Sequence, residues 1–324
     1  MNIIHPWHKT QWQQLHQRRC QGRLPHALLL TGVTGLGKLD FSRQFAASLL
    51  CLSPTEQGHA CGQCKSCLLL EAGTHPDLYQ LSPEEKSKVI KVDQIRELCS
   101  SMSQTAQMSG YRVAVIYPAE AMNTNAANSL LKTLEEPGAN TAIILVCSQP
   151  GSLPATVRSR CQITEFHIPD TDTSIKWLNS QGINEDVDLL LSISQNAPVA
   201  AMTAYQDGVL ANRRSFIADF FDLKQGLQNP QQVADKWYKS SPKMCLEWLK
   251  SWIADLIRLK STENSAYIAN MDIEQHLQPM AKQLDLSNLF KYLEQLQQSS
   301  RLLTTQVNVQ LMLEDLFIAW IKLR

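Results

Sequence analysis

The sequence predicts an α/β domain built on a parallel sheet, followed by a region that is helical throughout. Three observations carry this. Short, continuous apolar runs (ALLLT at 27–31, YRVAVIY at 111–117, TAIILVC at 141–147) alternate with helical periodicities, the pattern of a parallel sheet covered on both faces. After Pro169 the strand-like runs stop and helical stripes take over. The chain has 324 residues, 44% of them hydrophobic, which is enough for more than one core.

Taken in order, 27–31 reads as a buried strand ending at Gly32. A helix follows over 38–52, with Phe41, Phe45, Leu49 and Leu50 on its apolar face. Residues 78–81 form a second strand. Val92–Met102 is a helix carrying Val92, Ile95, Leu98 and Cys99 on one face. The third strand is 111–117, and the next helix, 126–136, is stopped by Pro137. Strands at 141–147 and 161–166 complete the sheet. Residues 170–206 read as three short helices, and from about Asn212 the chain is helical. Trp248, Leu249, Trp252, Ile253, Leu256 and Ile257 form one wide stripe; Leu311, Leu313, Leu316, Phe317 and Trp320 form another. The expected division is 1–168, 169–208 and 209–324.

Thirty Lys+Arg balance thirty Asp+Glu, so no overall positive field draws the chain to nucleic acid. Any DNA contact must be local or shared with partners. Residues 1–50 offer such a patch: Lys9, Arg18, Arg19, Arg23, Lys38 and Arg43 against Asp40 alone. No apolar run approaches the ~18–20 residues of a membrane span. The N-terminus places His, Trp and Pro where a signal peptide needs unbroken apolar sequence. A cytoplasmic chain without membrane partners is expected.

Of nine cysteines, Cys51, Cys61, Cys64 and Cys67 fall close together. The run CGQCKSC contains two overlapping C-x-x-C pairs, with Cys51 upstream, and Gly58 and Gly62 allow tight turns. Four thiolates complete a closed tetrahedral zinc shell with no open position for a catalytic water, so the expected role is a structural zinc module over 51–67. The alternative is redox-active or incidental thiols, but a redox pair needs neither a third nor a fourth cysteine.

Gly32-Val33-Thr34-Gly35-Leu36-Gly37-Lys38-Leu39 lies between strand and helix, where a phosphate-binding loop belongs. Gly32, Gly35 and Gly37 would let backbone N–H groups face an anion, and Lys38 would reach the phosphates. The last position should be Ser or Thr, whose hydroxyl holds Mg²⁺; it is Leu39. An acidic pair should follow Val113-Ala114-Val115-Ile116; Tyr117-Pro118 stands there, and Glu120 is a displaced carboxylate. The loop reads as degenerate: ATP hydrolysis at its own site is not expected, residual nucleotide binding through the glycines and Lys38 stays open, and the alternative for Lys38 is a structural remnant that caps the loop or pairs with a nearby acid.

Ser129-Leu130-Leu131-Lys132-Thr133-Leu134-Glu135-Glu136-Pro137 and Ser159-Arg160-Cys161 resemble the clamp-loader branch of the AAA+ proteins. The four-cysteine insertion, the decayed loop and Ala72-Gly73-Thr74-His75-Pro76-Asp77 narrow the resemblance to a non-motor subunit of the bacterial replicative loader. The motifs cover 25–167. The resemblance implies an AAA+ sheet domain with a zinc insertion, a small helical lid and a helical collar. It further implies a hetero-pentameric ring with gamma/tau and delta subunits, which places the sliding clamp (beta) on primed DNA. In such a ring Arg160 enters the neighbouring motor's nucleotide site as an arginine finger, with Ser159 orienting it. An arginine acting in trans can be kept in a chain whose own site is dead. The bland reading of Arg160 is a structural salt bridge, and Arg158 is a nearby charge easily confused with it. Leu130, Leu131 and Leu134 are core positions, and Lys132, Glu135 and Glu136 are polar positions that can meet a neighbour.

The nucleotide-sensing arginine of active members has no counterpart in Ser194–Ala200, and Lys91 matches a region that approaches the DNA backbone. His75 reads as a structural turn rather than a fifth ligand. The resemblance favours a non-hydrolysing, stator-like subunit; the alternative is an active ATPase of the gamma/tau type.

Overall fold

The structure is a computed structural model, describing residues 4–84, 87–108, 110–262, 268–303 and 307–323. Its strands are β1 (Ala27–Thr31), β2 (Leu78–Leu81), β3 (Arg112–Ile116), β4 (Thr141–Cys147) and β5 (Gln162–Glu165). They form one all-parallel sheet in the order β2-β3-β4-β1-β5. Because β1 lies between β4 and β5, the chain reverses its winding direction there. The carboxyl end of β1 is therefore a topological switch point, the place where open α/β sheets bind ligands. The 32–39 loop sits at that point.

Alternate side chains of each strand enter opposite layers. One layer is made by α1 (Lys9–Cys20) and α2 (Lys38–Leu50). Trp12, Leu15, Phe41, Phe45 and Leu49 pack there with Leu28, Leu30, Val113, Val115 and Ile144. The other layer is made by α4 (Val92–Met102) and α5 (Thr124–Glu135). There Ile95, Leu98, Leu130 and Leu134 meet Leu29, Ile116, Ile143 and Leu145. Short helices α3 (Lys65–Glu71) and α6 (Ala155–Arg158), then α7 (Thr171–Ser180), α8 (Val187–Ile193) and α9 (Pro198–Gln206), complete this part of the chain.

By packing, the chain divides into two compact units, Met1–Gln181 with Asn196–Ala200, and Gly182–Gln195 with Ala201–Arg324. The second unit is built mainly from α10 (Val209–Gln225), α11 (Pro230–Ser240), α12 (Pro242–Thr262), α13 (Glu274–Gln283), α14 (Leu286–Leu302) and α15 (Val309–Lys322). Its core is aromatic, with Phe216, Phe220, Trp237, Trp252, Phe317 and Trp320 all buried. Arg213, also buried, pairs with Asp272 at 2.9 Å and donates to Asn270.

Several expectations shift. The helix after β1 ends at Leu50, two residues early, because Cys51 turns extended to join the thiol cluster. The α5 helix starts at Thr124, since the Asn123 side chain accepts from the Ala126 N–H and caps it. The third and fifth strands are each trimmed by one residue at both ends. Leu311 is 59% exposed and does not share the α15 stripe with Leu313, Leu316, Phe317 and Trp320. The α1 helix was not legible: only Trp12 and Leu15 are buried in a run otherwise mostly of Gln, His, Arg and Lys, so no stripe announces it.

The THPD phrase has a structural explanation. His75 Nδ1 accepts from the Asp77 N–H at 3.1 Å, so its other nitrogen donates to Ser66 Oγ at 2.9 Å. Ser66 in turn donates to the Leu50 carbonyl at 2.6 Å. This chain ties the end of α2, the start of α3 and the lead into β2 together, and burial lowers the His75 pKa. The Asp77 carboxylate is buried and accepts from the N–H groups of Gln107 and Met108 at 2.7 and 2.8 Å. Asp77→Ala should strand both amides and destabilise the sheet-bearing unit by roughly 2–4 kcal/mol in urea unfolding. A loss within the scatter of surface substitutions would contradict that role.

Candidate functional site

The 32–38 loop leaves β1 with Gly35 at φ 84° and Gly37 at φ 81°, left-handed conformations that glycine adopts without strain. Space forbids larger residues as well. A Cβ on Gly35 would lie 2.3 Å from the Ala200 Cβ, and one on Gly37 would lie 2.4 Å from the His5 ring. The chain itself therefore presses on the loop from two sides.

The loop's carbonyls are occupied in the same way. Lys38 Nζ donates to the Gly32 and Val33 carbonyls, both at 2.7 Å, and to Ser148 Oγ at 3.2 Å. The Gly35 carbonyl accepts from the Val199 and Ala200 N–H groups at 3.0 and 3.2 Å. The Leu36 carbonyl accepts from the Trp7 indole N–H at 3.0 Å. Around Trp7, His5 stacks at 4.8 Å between centroids, and Trp177 meets both rings edge-on at 5.2 Å. His8 beneath them is buried; burial and the neighbouring His5 push its pKa down to about 3, so it is neutral. Of these contacts, only Lys38 capping its own loop is legible in the sequence. The one available signal was the clustering of His5, Trp7 and His8 ahead of the loop.

Lys38 is itself buried, and burial lowers its pKa to about 8 against the raising influence of Glu120 and Cys147. Leu39 turns into the apolar layer beside Phe41 and Phe45, as does Tyr117 from the end of β3. Glu120 uses one carboxylate oxygen to accept the Ser148 N–H at 2.9 Å. Its other oxygen is buried without a hydrogen-bond partner among the described residues. Lys38 and Glu120 thus meet on Ser148, at the carboxyl ends of the strands.

Cys51, Cys61, Cys64 and Cys67 converge as their spacing implied. Their sulfurs all lie within 4.8 Å of one another, with Cys51–Cys64 and Cys61–Cys67 at 3.9 Å. Tetrahedral metal–thiolate bonds of 2.3 Å would place sulfurs about 3.8 Å apart, so the cluster could hold a metal ion. Backbone N–H groups of Cys61, Cys64 and Cys67 point at the sulfurs of Cys51, Cys61 and Cys64 at 3.3, 3.4 and 3.5 Å. Such donors favour thiolate: backbone N–H contacts lower the Cys61 pKa, whereas burial pushes Cys67 up to about 12. His75 faces Ser66 and is not a ligand.

Arg160 follows α6 at the surface. Its Nε donates to Glu135 Oε1 at 2.7 Å, its Nη2 pairs with the same oxygen, and its Nη1 donates to the Thr156 carbonyl at 2.9 Å. Ser159 does not orient the guanidinium; its hydroxyl donates to the Thr156 carbonyl at 3.2 Å. Glu135 does that job, and sequence reasoning missed it because the two residues are 25 positions apart. Lys91, at the start of α4, pairs with Glu84 at 2.8 Å. The arginine-free stretch 194–200 supplies two N–H groups that close on Gly35.

Comparison with known proteins gives a consistent family. Residues 7–170 match the family described as "DNA polymerase III, delta subunit", and residues 208–322 match "DNA polymerase III, delta subunit, C terminal". The DNA polymerase III subunit delta' of Pseudomonas aeruginosa is 34% identical, covering 100% of this chain and 99% of that one. That of Escherichia coli is 31% identical over 97% and 94%. Among solved structures, a DNA polymerase III gamma subunit-related protein from Thermotoga maritima aligns at 15% identity and TM-score 0.46, covering 96% of this chain and 99% of that one.

The lowered Lys38 pKa has a consequence for stability. Below about pH 8 folded and unfolded chains both hold the proton, and the cost of burying the charge is constant. Above it the folded chain releases a proton that the unfolded chain keeps up to the ordinary lysine range, so stability should rise with pH across that window. Urea unfolding of Lys38→Met should show that rise flattened; an unchanged slope would mean the ammonium is not destabilised by burial.

Proposed function

We propose that this chain, which belongs to the DNA polymerase III subunit delta' family, is a non-hydrolysing, stator-like member of a clamp-loading ring. One observation carries this reading: the loop's lysine is bonded to its own chain at the Gly32 and Val33 carbonyls, while Arg160 is half-exposed beside Glu135. At the positions that would hold Mg²⁺ in a motor stand Leu39, partly buried against the apolar layer, and Tyr117-Pro118. An arginine offered to another subunit's triphosphate does not depend on those positions. Its cation offsets the charge building on the γ-phosphate, an effect of roughly 10³–10⁵ in rate where fingers have been removed.

In this role the ring partners are gamma/tau and delta subunits, the cargo is the sliding clamp, and primed DNA is reached through the cytoplasmic complex. Residues 1–168 act as the AAA+-like domain, 169–208 as a lid and 209–324 as the collar that joins sister subunits. Lys91 is the proposed DNA-backbone contact, and Glu84 competes for it. The metal proposed for the thiol cluster is zinc, held by Cys51, Cys61, Cys64 and Cys67, where it would staple the loop before α3 and supply no chemistry. The motor reading, an active gamma/tau-type ATPase, lacks metal-holding side chains at both required positions.

Arg160→Ala in the reconstituted complex should leave assembly intact and lower the DNA-stimulated ATP turnover by at least an order of magnitude; undiminished turnover would refute the finger. Replacing Cys64 with Ser should release zinc from the purified chain and lower the melting temperature of the sheet-bearing unit. Less than half an equivalent of zinc in the unaltered protein would contradict the metal assignment.

A further inference from the structure

Glu135 is the final residue of α5, and Glu136 and Pro137 end the helix. A carboxylate at that end faces the negative pole of the helix dipole, so it is not placed there for the helix. Its interaction with Arg160 is half exposed, with side-chain accessibilities of 49% for Glu135 and 35% for Arg160, and ion pairs of that kind contribute little to folding. The contact is nevertheless specific. One carboxylate oxygen takes both Nε and Nη2, and the Thr156 carbonyl takes Nη1.

A guanidinium has five N–H donors in a rigid planar fork. Among the described residues three are engaged, which fixes the plane and the direction of the group. That leaves one N–H on each Nη nitrogen to donate to a phosphate. The arrangement holds the arginine without using it up.

We infer that Glu135 is a positioning residue: it sets the guanidinium of Arg160 so that its two unengaged N–H groups face the phosphates bound by an adjacent subunit. This rests on the finger reading above. Without Glu135 the side chain would regain its rotamer freedom and meet the phosphate in the right orientation only part of the time. The loss would fall on the chemical step and not on nucleotide affinity, because the adjacent subunit makes the binding contacts.

The test uses the full reconstituted loader with clamp and primed DNA, comparing Arg160→Ala, Glu135→Ala, Glu135→Gln and the Arg160→Ala/Glu135→Ala pair. Glu135→Ala should lower kcat by roughly tenfold, the scale of effect that misorientation produces, with KM for ATP little changed. Glu135→Gln keeps an acceptor for Nε and Nη2 and should recover most of the rate. The double variant should be no slower than Arg160→Ala alone. If Arg160→Ala is slow and Glu135→Ala is as fast as the unaltered complex, or faster, the positioning role is wrong and the finger stands. An additional loss in the double variant, or a defect in ring assembly by size-exclusion chromatography, would assign Glu135 a structural role instead. If Arg160→Ala itself turns over normally, the finger reading fails and the inference falls with it.

Discussion

The chemistry of this molecule turns on where the Lys38 ammonium goes. In a working phosphate loop that charge is aimed outward at an anion, and the loop's backbone stays open around it. Here the ammonium points back into the loop at the Gly32 and Val33 carbonyls. Trp7 and the Val199–Ala200 amides close on the next two carbonyls in the loop that are held from outside, those of Leu36 and Gly35. Each interaction is modest alone, but together they tie the loop to its own chain at the switch point of the sheet. The sheet order sets the loop there, and Gly35 and Gly37 keep left-handed conformations in it.

The same strand ends show what that joint gains. Glu120 and Lys38 both bond Ser148, which knits the exits of β1, β3 and β4. Burial of a lysine is costly unless it is hydrogen-bonded, and its three acceptors offset only part of that cost, as its lowered pKa shows. A joint of this kind is stiff, and stiffness suits a subunit whose proposed contribution is to hold an arginine still for a neighbour. The thiol cluster and the His75–Ser66–Leu50 chain serve rigidity in another part of the same unit, between α2 and β2.

Local patterns in the sequence were enough for the sheet. β1 and β4 match their apolar runs residue for residue, since burial on both faces leaves a continuous signal, and β2 and α4 keep their expected bounds. The broken metal positions at Leu39, Tyr117 and Pro118 were equally readable, because they are identities at fixed places in a motif. Cysteine spacing foretold the convergence of the sulfurs. What stayed hidden was everything made by distant residues of modest character. The α1 helix buries only Trp12 and Leu15, so no period marks it. Neither the Trp7 bond to Leu36 nor the approach of Ala200 to Gly35 has a local signature. Glu135 looked like half of an exposed acidic pair until α5 and α6 were seen side by side.

The central claim is that the loop has closed on itself and binds no Mg²⁺-nucleotide. Isothermal titration of the purified chain with Mg²⁺-ATPγS measures this directly. A closed loop gives no heat beyond dilution up to millimolar nucleotide. Saturable binding in the micromolar range that requires Mg²⁺ and disappears in Lys38→Met would show that the ammonium still turns to a triphosphate, and would contradict the account.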